Sequence, residues 1–145
     1  MRLLKIIAFY LLLFLTGSCY AQDVSLSVVS NSKGAPQEIK LAALKSILRG
    51  EKQRWPDGTK ITIALMKTNT PIGSSTCKKI YNMSGDELNK FWLALVFQGK
   101  SQAPVFFNSN AELEAFILQT PGAIGITSQP SVNIRSMTID GKKTL

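Results

Sequence analysis

Histidine is absent from the chain. That removes Ser–His and Cys–His nucleophile pairs and every histidine-bound metal site. Cysteine is nearly absent: Cys19 and Cys77 are the two. The first falls in a segment read below as a leader, so no intramolecular disulfide staples the remainder. Like charges never run to five in a row, and no arginine-rich stripe occurs. Nucleic acid is therefore a poor expectation as a partner. No apolar run reaches the about 20 residues that a bilayer span requires. Repeats, low-complexity tracts and internal linkers are also missing. The fold must be held by the hydrophobic core of one small domain.

What is present begins with a three-part N-terminus. Arg2 and Lys5 are positive, Ile6 to Leu15 is apolar apart from Tyr10, and Thr16 to Ala21 is a stretch of small residues closed by Tyr20-Ala21. This reads as a secretory signal peptide over 1–21, cut after Ala21, with Cys19 and Ala21 as the small residues that the peptidase reads. A lipoprotein cut before Cys19, leaving a lipid on that cysteine, is the second reading. The remaining 22–145 is one domain's length and is expected to be periplasmic or secreted. Removing Arg2 and Lys5 from the 17 basic residues leaves 15 against 9 acidic ones, a net charge of +6. That suits attraction to anionic ligands or surfaces.

Along the chain, Val24 to Val29 reads as a strand, and Ser30 to Pro36 as a loop. Leu41, Leu44, Ile47 and Leu48 give a helix that Gly50 stops. Trp55-Pro56-Asp57-Gly58 is a turn. Ile61 to Met66 alternates as a second strand. Ser74 or Ser75 is expected to cap a short helix carrying Cys77, Ile80 and Tyr81 on one face. Ser84-Gly85-Asp86-Glu87 is a capping box, followed by the stripe Leu88, Phe91, Trp92, Leu95 and Val96. Ser109 to Glu112 reads as a second box, ahead of Leu113, Phe116 and Ile117. Ala123 to Thr127 reads as a buried strand, and Val132 to Ile139 as a last strand. Strands alternating with helices imply an α/β domain with a largely parallel sheet.

Five segments, in order, resemble a known family. They are Val28-Val29-Ser30-Asn31; Leu44 to Glu51 with Arg54-Trp55-Pro56-Asp57-Gly58; Phe91-Trp92; Phe97-Gln98-Gly99-Lys100 with Pro104; and Thr120-Pro121-Gly122-Ala123-Ile124-Gly125-Ile126. Together they look like the phosphate-type substrate-binding proteins of ABC transporters, over about residues 24 to 135. The resemblance implies a single lobe of a type II periplasmic-binding-protein-like fold, a mixed, mostly parallel sheet flanked by helices. Family members have two lobes that close on the ligand, and this chain corresponds chiefly to the second.

The family holds phosphate on a Gly-Ser-Gly-Thr segment that opens a helix. The matching place here is Gly73-Ser74-Ser75-Thr76, where helix N–H donors, hydroxyls and the nearby Lys67 favour an anion. The resemblance thus implies a ligand set of Ser30, Asn31, Lys67, Gly73, Ser74, Ser75 and Thr76. The family also has an arginine and an aspartate just before this segment; from Lys67 to Ile72 the only charge here is Lys67, a point charge and not a bidentate fork. Read as plain structure, the same serines are only a helix cap.

The expected function is non-catalytic binding of a small anion, phosphate first, with an ABC permease or another envelope protein as the partner and no cofactor or metal. The alternative is a half-size domain that acts as an envelope interaction module. An enzyme is not expected: Ser74 and Lys78 at i, i+4 are the one serine–lysine spacing of interest, and that spacing is ordinary on a helix.

Overall fold

The computed structural model describes residues 23–145. The leader, its cut after Ala21 and the Cys19 question lie outside them. The described chain runs β1 (Ser27–Ser30), β2 (Glu38–Ile39), α1 (Leu41–Leu48), β3 (Thr62–Met66), α2 (Pro71–Thr76) with a π-helical continuation (Cys77–Tyr81), α3 (Gly85–Phe97), β4 (Val105–Phe107), α4 (Asn110–Gln119), β5 (Ala123–Thr127), β6 (Arg135–Ser136) and β7 (Thr138–Ile139). Five strands form one sheet in the order β4-β3-β5-β1-β6. β3 pairs parallel with both β4 and β5, while β1 is antiparallel to β5 and β6. Only β1 therefore runs against the rest, which agrees with the expected mixed, mostly parallel sheet. β2 and β7 form a separate parallel pair.

Alternation along the strands gives the sheet two buried faces. Val28, Ile63, Leu65, Ile124 and Ile126 point into the larger core, under α1, the π segment and α3 through Leu44, Leu48, Ile80, Tyr81, Leu88 and Trp92. Val29, Ala64, Met66 and Ala123 point the other way, against Leu113 and Ile117 of α4. The Tyr81 phenol is enclosed in the larger core and donates to the Leu48 carbonyl at 2.6 Å. That bond satisfies a carbonyl at the end of α1, where the chain turns through Gly50 at φ +75°.

Four expectations need correcting. The first strand starts at Ser27 rather than Val24, because the backbone before it pairs elsewhere: the Val24 carbonyl accepts from Lys79 Nζ and the Leu26 carbonyl from the Leu145 N–H. The last strand is two short pieces. Arg135–Ser136 joins β1 and Thr138–Ile139 joins β2, and Val132 is fully exposed outside both. The stripe on α3 is only partly covered: Leu88 and Trp92 are buried, Phe91 and Leu95 half-buried, and Val96 exposed. The second capping box is half made, with Ser109 Oγ accepting from the Glu112 N–H and no return bond. The first box, at Ser84 and Glu87, closes in both directions.

Candidate anion-binding site

In open α/β sheets, ligands gather at the carboxyl ends of the strands. Here that end is formed by the loops after β3 (Lys67 to Thr70), β4 (Asn108-Ser109) and β5 (from Ser128), together with the start of β1, which enters from the same side. The loop after β3 folds around one backbone atom. The Lys67 carbonyl accepts the Thr70 N–H at 2.9 Å and the Thr70 hydroxyl at 2.7 Å. Lys67 N–H in turn donates to the Phe107 carbonyl at 2.9 Å, continuing the β3–β4 pairing. The Lys67 side chain is left exposed.

The helix that follows starts earlier than expected. Thr70, not Ser74 or Ser75, is its N-cap, with Pro71 in the first turn. The Thr70 hydroxyl accepts the Gly73 N–H at 3.0 Å, and the Thr70 carbonyl accepts the Ser74 N–H at 2.8 Å. Proline fits at the first helical position because its missing N–H would be an orphan there. Gly73 to Thr76 therefore lie inside the helix. A Cβ on Gly73 would sit 1.9 Å from the Lys67 carbonyl oxygen, so this glycine is set by close packing of the helix on the end of β3. The Thr76 hydroxyl is buried and donates to the Ile72 carbonyl at 2.8 Å. Ser74 and Ser75 are half-buried. Of the first-turn donors, the Ile72 N–H is the one with no partner among the described residues.

Ser30 and Asn31 lie at the opposite end of the sheet. Ser30 faces Ile124 and the Asn31 N–H donates to the Ala123 carbonyl, at the amino end of β5. Both side chains are buried. Asn31 Nδ2 donates to the Ile117 carbonyl at 2.8 Å and the Leu118 carbonyl at 3.1 Å, and its Oδ1 accepts the Lys33 N–H at 2.8 Å. It is a tie that closes the last turn of α4. Of the seven expected ligand residues, Gly73 packs on the Lys67 backbone carbonyl, Ser74 to Thr76 follow it in the same helix, and Lys67, Ser74 and Ser75 are the accessible ones.

Sequence reasoning missed the residues beside Lys67. A cleft of about 390 Å³ is lined by Lys67, Thr68, Asn69, Asn89 and Phe106. Its cation, hydroxyl and amides are groups that hydrogen-bond an oxyanion. The signal for the true helix start was Thr70-Pro71, a cap residue ahead of a first-turn proline. Among the described residues the fold shifts three ionisations, none of them of an expected ligand residue. Burial pushes the Cys77 thiol and the Tyr81 phenol up, which keeps both protonated and unreactive. The Thr59 N–H holds the Asp57 carboxyl below its ordinary range within the turn at 55–58. Among the described residues, no cluster of acids and cysteine has metal-binding geometry.

Solved structures carry the same architecture. An ABC-type phosphate transport receptor from Vibrio cholerae superposes with a TM-score of 0.65 at 14% identity, over 84% of this chain and 49% of that one. The chain has the fold of about half of that receptor, a mixed, mostly parallel sheet flanked by helices. A phosphate ABC transporter substrate-binding protein with bound phosphate, from Clostridium perfringens, gives 0.62 at 11% identity, over 81% of this chain and 46% of that one. PstS from Borrelia burgdorferi gives 0.62 at 18%, over 82% and 48%. The chain thus spans about half the length of each of these structures. No family model matches the sequence, and no curated protein matches it.

Proposed function

We propose that the protein is exported and holds a small anion without transforming it, with phosphate the first candidate. The observation that carries this reading is the likeness of the fold to one half of phosphate-transport binding proteins, one of them described with bound phosphate. In support, an accessible lysine follows β3, and the half-buried Ser74 and Ser75 lie in the short helix that comes next, at the end of the sheet where open α/β folds take ligands. Lys67 supplies the charge, Ser74 and Ser75 supply hydroxyls, and the Ile72 N–H supplies a backbone donor. Half an enclosure leaves a bound anion in contact with water, which weakens each of these bonds. Capture by this half alone is expected to be weak, and delivery to an ABC permease would need a partner surface to complete the pocket. Calorimetry with phosphate, with sulfate and acetate as comparators, tests the reading. Saturable heat that is lost in Lys67→Gln and in the Ser74→Ala/Ser75→Ala double variant supports it; no heat on folded protein overturns it.

A second reading, an envelope interaction module, is favoured by one feature. Leu93, Val96 and Phe97 stand exposed on α3, three large apolar side chains on one helix, where α4 exposes Leu118 alone.

A further inference from the structure

Helix α3 buries one side on the larger core and leaves the other uncovered. Lys90, Leu93, Ala94 and Phe97 fall on one line, because positions three and four apart share a helix face. Leu93 is 58% exposed, Val96 44% and Phe97 81%. Lys90 stands on this line and Lys100 just past its end, and both are exposed. Beside the end of the helix, an open groove of about 620 Å³ is lined by Val96 together with Arg54, Lys60 and Lys100. Between Leu88 and Ala111 the chain carries no acidic residue. The acids that flank Gln53 and Arg54 in the chain, Glu51 and Asp57, do not line the groove.

We propose that this face docks the protein on an anionic lipid surface. Leu93 and Phe97 enter the boundary between headgroups and acyl chains, while Lys90, Lys100, Lys60 and Arg54 meet lipid phosphates. Helices with large apolar side chains set among lysines bind interfaces in this way, with a strength that follows apolar area and attraction to anionic lipid. Charge complementarity selects the occupant. A second copy seated on the same face about a two-fold axis would set Lys90 and Lys100 against cations of its own kind. The line from Lys90 to Phe97 is only about two helical turns, roughly 11 Å long, short for the roughly 800 Å² per partner that a stable protein interface buries. The inference does not rest on the anion site. Gly85 at the start of α3 packs near Thr68, whereas the groove lies at the other end of the helix, where Lys60 Nζ meets Gln102 Oε1 ahead of β3 and β4.

Flotation with vesicles of phosphatidylcholine containing about 30% phosphatidylglycerol tests the proposal, with pure phosphatidylcholine as the control. The chain should float with the anionic vesicles and at least about tenfold less with neutral ones. Phe97→Ser/Leu93→Ser and Lys90→Gln/Lys100→Gln should each weaken binding by about tenfold, and roughly 0.5 M salt should do the same. All four positions are exposed, so circular dichroism and the melting temperature should match the parent. The apolar run at Ile6 to Leu15 is common to every variant. Binding that survives the substitutions belongs elsewhere and overturns the proposal. So does absence of binding, equal binding to neutral vesicles, or a dimer in sedimentation equilibrium that Phe97→Ser dissociates.

Discussion

The two ends of the sheet use their polar residues differently. At the amino end of β5 three polar groups are committed to the backbone, while the buried Ser30 hydroxyl has no partner among the described residues. Asn31 ties the last turn of α4, the Trp55 indole N–H donates to the Gly122 carbonyl at 2.9 Å, and the Gly122 N–H donates to the Lys33 carbonyl. At the carboxyl end the backbone is closed just as tightly around Lys67, yet the Lys67 side chain, Asn69 and Asn89 face water. A polar side chain that is buried and paired holds the fold; one that is exposed beside a closed backbone is free to meet a ligand. Residue type alone does not separate the two uses, since Asn31 and Asn69 are the same residue.

Four measurements sharpen or break that contrast. Gly73→Ala should have the largest effect. Its methyl has no room against the Lys67 carbonyl, and a loss of about 3 kcal/mol or more is expected in urea unfolding. A variant as stable as the parent would mean that α2 is not packed tightly on β3. Asn31→Ala should follow, at about 2–3 kcal/mol, because one buried and one part-buried carbonyl at the end of α4 lose their donor. A smaller loss than for Lys67→Gln would reverse the assignment of the two ends.

Next comes alkali. Burial raises the Tyr81 phenol above its ordinary value, so above about pH 10 the unfolded chain releases a proton that the folded one keeps. Stability is intact below that pH and falls as pH rises through it. Tyr81→Phe should lose about 1 kcal/mol at neutral pH and show a shallower alkaline decline in parallel urea melts. Lys67→Gln should be the mildest, within about 0.5 kcal/mol of the parent, while removing any phosphate heat. A destabilised Lys67→Gln protein would place this lysine among the structural residues.

Much of the framework was legible in the sequence, for reasons that can be named. α1, α3 and α4 carry 3.6-residue apolar periods with caps or a stopping glycine, and β3 and β5 are apolar runs long enough to register. β2 and β4 are two and three residues long and exist because neighbours offer backbone partners, which no local pattern records; β6 and β7 lie within the expected last strand but divide between two partners. The site was legible in part. Four hydroxyl residues lie between Thr70 and Thr76, and choosing the cap among them depended on Pro71. Ser30 and Asn31 read as polar loop residues because the partner that explains Asn31, the Ile117 carbonyl, is 86 positions away.

The reversed direction of β1 also fixes how the protein can be handled. Asp23 enters the domain at the end where β3, β4 and β5 finish, held there by an ion pair with Lys79 at 3.1 Å, and the Leu145 N–H is bonded to Leu26 beside it. Asp23 and Leu145 thus both sit beside the start of β1, at the carboxyl end of β5, and leave the Trp55 end clear. A surface linker placed on the exposed Asp23 would present the closed end around Asn31 and Trp55 to solution.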